Sequence, residues 1–256
     1  MIDINSTLEF VKNLAVDTGK MTLEAQNKYF EINFKSPKNL VTEVDLAAEK
    51  MITQAIEANF PDHNILGEEE GQKAKNSDYD WIIDPIDGTT NFAHKHPFYG
   101  VSIALYHKQT PLIGVVYAPY LKELFWASRG GGAYLNDKKI SVSSVTDPTQ
   151  MLTCTGFPSK NREENLVYLH KMLATAQAVR RCGAATLDFC YVACGRYDTF
   201  WEIGLQPWDI AAGRLILEEA GGILTQLSGE PIKVFEKQSI LAGNQKLHQV
   251  ILDLFK

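Results

Sequence analysis

No stretch of this 256-residue chain is apolar for long enough to cross a membrane, so no membrane partner is expected. Basic clusters are missing too: 25 Lys and Arg stand against 31 Asp and Glu for a formal charge of −6, and no run of positive charge offers a footprint for nucleic acid. The opening stretch, Met1 to Glu9, is polar and acidic and does not read as a secretory signal. Cysteine is scarce, and Cys154, Cys182, Cys190 and Cys194 lack the paired short spacings of a zinc site. They read as buried, reduced thiols, which places the chain in the cytoplasm. There is no internal repeat and no low-complexity tract.

What remains is ordinary globular composition, 45% hydrophobic and 22% charged. At roughly 150 residues per domain the length allows one large domain or two fused halves. Leu8, Val11, Leu14, Ala15 and Met21 recur at helical spacing across Ser6 to Tyr29, and Ser6 with Glu9 suggests a capping box. A second helix is expected from Glu43 to Asn59, with Leu46, Met51, Ile52 and Ile56 on its apolar side and Pro61 beyond it. The segment Lys35-Ser36-Pro37-Lys38-Asn39 between them reads as a loop. Strands are expected at Trp81 to Ile83, Tyr99 to Tyr106, Leu112 to Tyr117 and Glu123 to Ala127, before the glycine-rich turn at 129–132. Further on come a helix at Ala185 to Ala193, a strand at Tyr197 to Trp201, and a helix from Asp209 to the Gly221-Gly222 stop. These clusters predict an α+β protein of layered sheets and helices, its halves meeting near residues 140 to 155 and divided as 1–145 and 146–256.

The chemistry concentrates in Trp81-Ile82-Ile83-Asp84-Pro85-Ile86-Asp87-Gly88-Thr89-Thr90-Asn91-Phe92. An apolar strand delivers two carboxylates, Pro85 is expected to force a turn between them, and Gly88 lets backbone approach a ligand. Paired carboxylates suit hard divalent cations. Thr89 and Thr90 could open a helix whose free N–H groups face a phosphate. A nucleophilic-aspartate phosphatase would space its acids as Asp-x-Asp-Gly, and an EF-hand would need ligands where Thr89 and Phe92 stand. Taken singly, Asp45 is a first-turn helix residue, Glu68 part of a solvated acidic loop, Glu202 a strand-end surface residue and Asp209 an N-cap.

Together, Leu40-Val41-Thr42-Glu43-Val44-Asp45, Gly67-Glu68-Glu69, Asp84 through Phe92, and Trp208-Asp209-Ile210-Ala211-Ala212-Gly213 occur in an order that resembles the inositol monophosphatase family over nearly the whole chain. The resemblance implies a layered αβαβα sandwich of the inositol monophosphatase and fructose-1,6-bisphosphatase type, a homodimer, and two or three Mg2+ ions per site. It implies that Glu68, Asp84 and the Ile86 carbonyl hold one ion, that Asp84, Asp87 and Asp209 hold a second, and that Glu68 touches a weaker third. Thr89, bonded to Asp45, would orient the attacking water, and the Gly88 and Thr89 N–H groups would meet the phosphate. The half 1–145 would carry most metal ligands, and the half 146–256 would carry Asp209 and the substrate contacts.

The implied substrate is a small phosphate monoester, foremost inositol monophosphate. Glu202, separated from Asp209 by six residues, occupies the position of a ring-hydroxyl acceptor, together with Asp87 and the backbone at Ala185. Relatives acting on fructose 1,6-bisphosphate, 3′-phosphoadenosine nucleotides or histidinol phosphate share the metal motif, and a regulatory role through protein or RNA partners is a reading from another class. The family's flap lysine corresponds to Lys35 or Lys38. His94 and His96 are read as solvent-facing, and lithium sensitivity is a family trait.

Overall fold

The computed structural model describes residues 2–28, 31–36, 39–158 and 162–256. In chain order the elements are α1 (Ile4–Gln26), a hairpin of β1 (Ile32–Ser36) and β2 (Asn39–Thr42), α2 (Glu43–Asn59), β3 (Asn64–Gly67), β4 (Gly71–Lys73), β5 (Tyr79–Asp87) and α3 (Thr89–Ala93). Then follow β6 (Gly100–His107), β7 (Thr110–Ala118), β8 (Glu123–Ser128), β9 (Gly132–Leu135), β10 (Lys138–Lys139), β11 (Leu152–Thr155), α4 (Leu166–Thr175) and β12 (Ala178–Arg180). The chain ends with α5 (Ala185–Ala193), β13 (Thr199–Leu205), α6 (Pro207–Glu219), β14 (Ile223–Gln226), β15 (Gln238–Gly243) and α7 (Gln245–Phe255).

Alternation along the strands builds the layers. In the eight-stranded sheet, ordered β10-β9-β8-β7-β6-β5-β3-β4, Trp81, Ile83, Val101, Ile103, Leu105, Val115 and Tyr117 face α1 and α2. Their neighbours Ile82, Ala104, Tyr106 and Val116 face the opposite way, onto α5 and α6. The period of two thus makes both faces apolar. Phe200, Ile240 and Ala242, on the inner face of the second sheet (β12-β11-β13-β15-β14), close the same core from the other side. Trp201 and Leu241 point outward onto α4 and α7. The result is the αβαβα stack of an α+β sandwich.

Helix α6 lies in the middle layer, and its small residues are a packing requirement. A Cβ at Gly114 of β7 would meet the Ala212 carbonyl oxygen at 2.7 Å, and one at Gly213 would meet Phe189 of α5 at 2.6 Å. The Tyr106 hydroxyl, fully buried, donates to the Ala211 carbonyl at 3.0 Å. Sheet and helix therefore grip the α6 backbone directly, leaving its orientation little freedom.

Several sequence expectations are corrected. Helix α1 starts before Ser6: the Asp3 carboxylate accepts from the Asn5 N–H at 3.1 Å, so Asp3 is the cap and no Ser6–Glu9 box forms. The helix ends at Gln26, with Asn27 as its C-cap, and Tyr29 lies outside the described residues. On α2, Leu46 is half exposed, because the buried stripe runs through Val44, Asp45, Ala48, Glu49, Ile52, Thr53 and Ile56. The supposed loop at 35–39 contributes Lys35 and Ser36 to β1 and Asn39 to β2; Lys38 lies outside the described residues. Strand β13 begins at Thr199 rather than Tyr197, because Tyr197 N–H still bonds the end of α5 at Tyr191 and Asp198 accepts from Leu152 N–H. Helix α6 begins at Pro207, two residues before Asp209, with Gln206 as its cap; proline suits a first helical position, where no N–H is needed. All four cysteines are free, with Cys154 and Cys190 buried and Cys182 and Cys194 only partly so.

We expect Gly114→Val to lower stability by about 1–3 kcal/mol through overpacking against α6. The urea midpoint should fall with an unchanged slope, and a midpoint equal to wild type would show that the α6–sheet contact is looser than described.

Candidate active site

The site begins with an irregularity in β5. Asp84 pairs with Ser102 and Asp87 with Gly100, so three steps along β5 match two along β6. Residues paired across a ladder share a face, and Ser102 and Gly100 lie two apart on one face. The bulge therefore turns both aspartates toward α6, whereas in a regular strand Asp87 would follow Ile83 to the opposite side. Pro85 sits inside this bulge, where its missing N–H does no harm. It does not produce the expected turn; the strand continues through Asp87. Ile86 goes the other way, packing with Val44, Phe92 and Tyr99.

Strand β3 runs parallel to β5 with Gly67 beside Ile83, so Glu68 leaves the sheet next to Asp84. Asp209 arrives from the first turn of α6, where its carboxylate accepts the Gln206 N–H at 2.7 Å. One oxygen from each of Asp84, Asp87 and Asp209 lies within 4.8 Å of the others. Glu68 is outside that tight group, yet its charge adds to the upward push on Asp84 and Asp209.

The electrostatics follow from this crowding. Burial, then the negative charges of Glu68, Asp87, Asp209 and Asp45, push Asp84 well above the ordinary carboxylate range. Burial and the charges of Asp87 and Glu68 do the same to Asp209. Asp87 is raised by burial to about 6, against the pull of the Thr186 donors. Among the described residues no lysine or arginine forms an ion pair with these three acids. Convergent hard oxygens without a paired base are a donor set suited to Mg2+, Ca2+ or Mn2+, and a divalent cation would supply the missing positive charge.

Each acid is also held in place. Asp84 accepts the Ile86 N–H at 3.1 Å. Asp87 accepts both the backbone N–H (2.7 Å) and the hydroxyl (2.5 Å) of Thr186, at the start of α5. Thr186 was not among the residues singled out by sequence, since a threonine in an alanine-rich helix start carries no distinguishing signal. Asn91 donates to the Phe98 and Cys182 carbonyls at 2.6 and 2.8 Å, tying the loop after β5 to the segment before α5.

Thr89 donates to Asp45 at 3.2 Å and lies equally far from the Ile86 carbonyl. Asp45 in turn accepts the Thr42 N–H and hydroxyl in a capping box at the start of α2. Burial raises Asp45 to about 6, against the Thr42 hydrogen bonds. Gly88 adopts a φ of +92°, and a Cβ there would press on Ala184 at 3.2 Å. This left-handed backbone opens α3, which spans only Thr89 to Ala93.

Ala185 lies at the first turn of α5, beside Asp87. Glu202, on β13, is raised to about 8 by burial and by the charges of Asp188 and Asp87, against the pull of Arg181. Its carboxylate stands so close to Gly156 that a Cβ there would overlap it. The structure thus brings Glu68, Asp84, Asp87, Asp209 and Glu202 into one electrostatic neighbourhood, with Asp45, Thr89 and Ala185 on its rim. His94 and His96 are exposed, and the described part of Lys35 is backbone alone.

A sequence model of the inositol monophosphatase family matches residues 3–256. A protein of Aquifex aeolicus named fructose-1,6-bisphosphatase/inositol-1-monophosphatase is 39% identical, covering 100% of this chain and 97% of its own. A Neisseria meningitidis protein named putative Nus factor SuhB is 42% identical over 95% of each chain. The crystal structure of extragenic suppressor protein suhB from Bartonella henselae superposes with a TM-score of 0.94 at 35% identity, covering 98% of both chains. With the acid cluster, these likenesses define an α+β phosphatase. The chain belongs to the inositol monophosphatase family.

We expect Asp84→Asn to raise the cation-free melting temperature by about 2–4 °C, or about 1 kcal/mol, by removing one of several crowded negative charges. Excess Mn2+ should stabilise the wild type by about 2.7 kcal/mol at a hundredfold over its Kd and leave the variant unchanged. Equal Mn2+ responses in differential scanning calorimetry would show that the cluster holds no cation.

Proposed function

We propose that this phosphatase hydrolyses a small phosphate monoester with Mg2+, using a water molecule as nucleophile, and that inositol monophosphate is its principal substrate class. The observation that carries the reading is the convergence of Asp84, Asp87 and Asp209 from two separate elements. Asp84, Asp87, Asp209, Glu68 and the Ile86 carbonyl would hold two or three ions. Bound Mg2+ supplies charge stabilisation for the phosphoryl group and lowers the pKa of coordinated water.

The chain's own groups do the remaining work. With its hydrogen directed at Asp45, Thr89 Oγ1 keeps a lone pair to accept a hydrogen from water and so fixes that water's direction. Asp45 is the acceptor that sets the hydroxyl's orientation. The backbone N–H groups of Gly88 and Thr89 would meet phosphate oxygens, which compensates for the net negative charge of the chain. Glu202, the Ala185 backbone and Asp87 would receive the hydroxyls of a polyol leaving group. Asp209 would serve both as an ion ligand and as a substrate contact.

The name of the Aquifex relative supports a sugar or cyclitol phosphate, and it also keeps fructose 1,6-bisphosphate in the substrate panel. Nucleotide substrates such as 3′-phosphoadenosine 5′-phosphate, and histidinol phosphate, are the further alternatives. The name of the Neisseria relative favours a second role through macromolecular partners, compatible with an intact acid set. We place the protein in the cytoplasm as a homodimer. Leu166, Val167 and Leu173 lie exposed along α4 and offer apolar surface for pairing.

Asp87→Asn and Asp209→Asn should abolish Mg2+-dependent turnover while circular dichroism stays native. Glu202→Ala should raise KM for inositol monophosphate about tenfold, the loss of roughly one buried hydrogen bond, and change KM for p-nitrophenyl phosphate less than about twofold. Near-normal rates in the aspartate variants would overturn the cation reading. Equal KM effects on the two esters would overturn the polyol reading.

A further inference from the structure

Helix α2 carries a second buried acid one turn beyond Asp45. Glu49 is 1% exposed, although a glutamate in a helix ordinarily faces water. Its two carboxylate oxygens accept the backbone N–H groups of Glu69 at 2.9 Å and Glu70 at 2.7 Å. Both belong to the tight turn that links β3 to β4 and begins with Glu68. The preceding glycine is required by the same contact: a Cβ at Gly67 would lie 2.2 Å from a Glu49 carboxylate oxygen.

A turn bearing three successive acids repels itself, and any further carboxylate nearby adds to that repulsion, while Lys73, paired with Glu70 at 2.6 Å, relieves part of it. The two charge-assisted N–H bonds offset this and fix the direction in which the turn leaves the sheet. Asp45 and Glu49, four residues apart on one helical face, hold two loops in the same manner. Asp45 receives Thr89, and Glu49 receives the backbone immediately after Glu68. Helix α2 therefore sets the spacing between the water-orienting threonine and the acid beside Asp84.

We propose that Glu49 is a positioning residue for Glu68: by clamping the Glu69 and Glu70 amides it sets the affinity of the Glu68 side of the site for a divalent cation, while touching neither cation nor substrate itself. The inference rests on the cation reading given above. Outer residues that orient a ligand typically change metal affinity by about 10–100-fold when replaced.

The test uses the full chain and Mn2+ as the probe. In Glu49→Gln, amide hydrogen exchange at Glu69 and Glu70 should accelerate, Mn2+ affinity by calorimetry should fall about tenfold, and the Mg2+ concentration for half-maximal rate should rise in step. At saturating Mg2+, kcat should return to within about twofold of wild type with KM for the ester unchanged, a recovery that general loss of structure would not give. Gly67→Ala, which drives a methyl group into the same carboxylate, should reproduce the affinity loss. Combined with Glu49→Ala it should add nothing further, because both changes break one contact. Gln54→Ala, on the exposed side of the helix, is the control and should change neither affinity nor exchange. Mn2+ affinity within twofold of wild type in Glu49→Gln, or additive losses in the double variant, would overturn the inference. Failure of the wild type itself to bind Mn2+ would overturn the cation reading, and is distinguished by being independent of residue 49.

Discussion

The constraint on which the architecture turns is the repulsion among buried carboxylates, opposed by hydrogen-bond donors that hold each one where it stands. Asp84 takes the Ile86 amide, Asp87 the start of α5, Asp209 the amide of its own helix cap, and Asp45 the donors of Thr42. An unpaired buried charge is costly and shifts its own pKa to escape. Here the donors limit that escape without neutralising the cluster, and the oxygens remain turned toward a common point. Such a site trades stability for a strong affinity toward positive charge.

Rigidity around the cluster comes from apolar packing rather than from the acids. Helix α6 can present Asp209 to β5 because glycine and alanine let its backbone approach both Gly114 and Phe189. The Tyr106 hydroxyl adds one directional bond to that contact. On the opposite face of the sheet, α2 is held by Ile52 and Ile56 while its two buried acids reach around to the loops at Thr89 and Glu68. The site is thus built between helices from two different layers, with the sheet as the common reference.

The side of the site proposed to receive a polyol has a different electrostatic character. Glu202 comes from the second sheet and is raised to about 8, so near neutrality it resembles a hydroxyl-seeking group more than an ion. Asp188, buried beside it, meets the geometric criteria for a hydrogen bond with no partner among the described residues, and burial and the charge of Asp87 push it well above the usual carboxylate range, against the pull of the nearby Cys154 thiol and of Arg181. An acid raised in this way can both donate to and accept from hydroxyl groups when it carries its proton, which suits the neutral polyol proposed as leaving group.

Local pattern alone determined much of the chain. The bounds of α2, the strands β6 to β8, helix α5 and the Gly221 stop follow from apolar spacing, capping residues and glycine, all readable within a few neighbours. The order of the acidic motifs pointed to the family and to which carboxylates should meet. What the tertiary structure decided is how they meet. The bulge that brings Asp87 to the side of Asp84 is a matter of register against β6, and no residue in β5 announces it. Glu49 reads as a solvated helix residue until the turn after Glu68 folds over it, and Thr186 is unremarkable until α5 reaches Asp87. These positions depend on which backbone donors another element brings within hydrogen-bond distance, and that is fixed only when the layers pack.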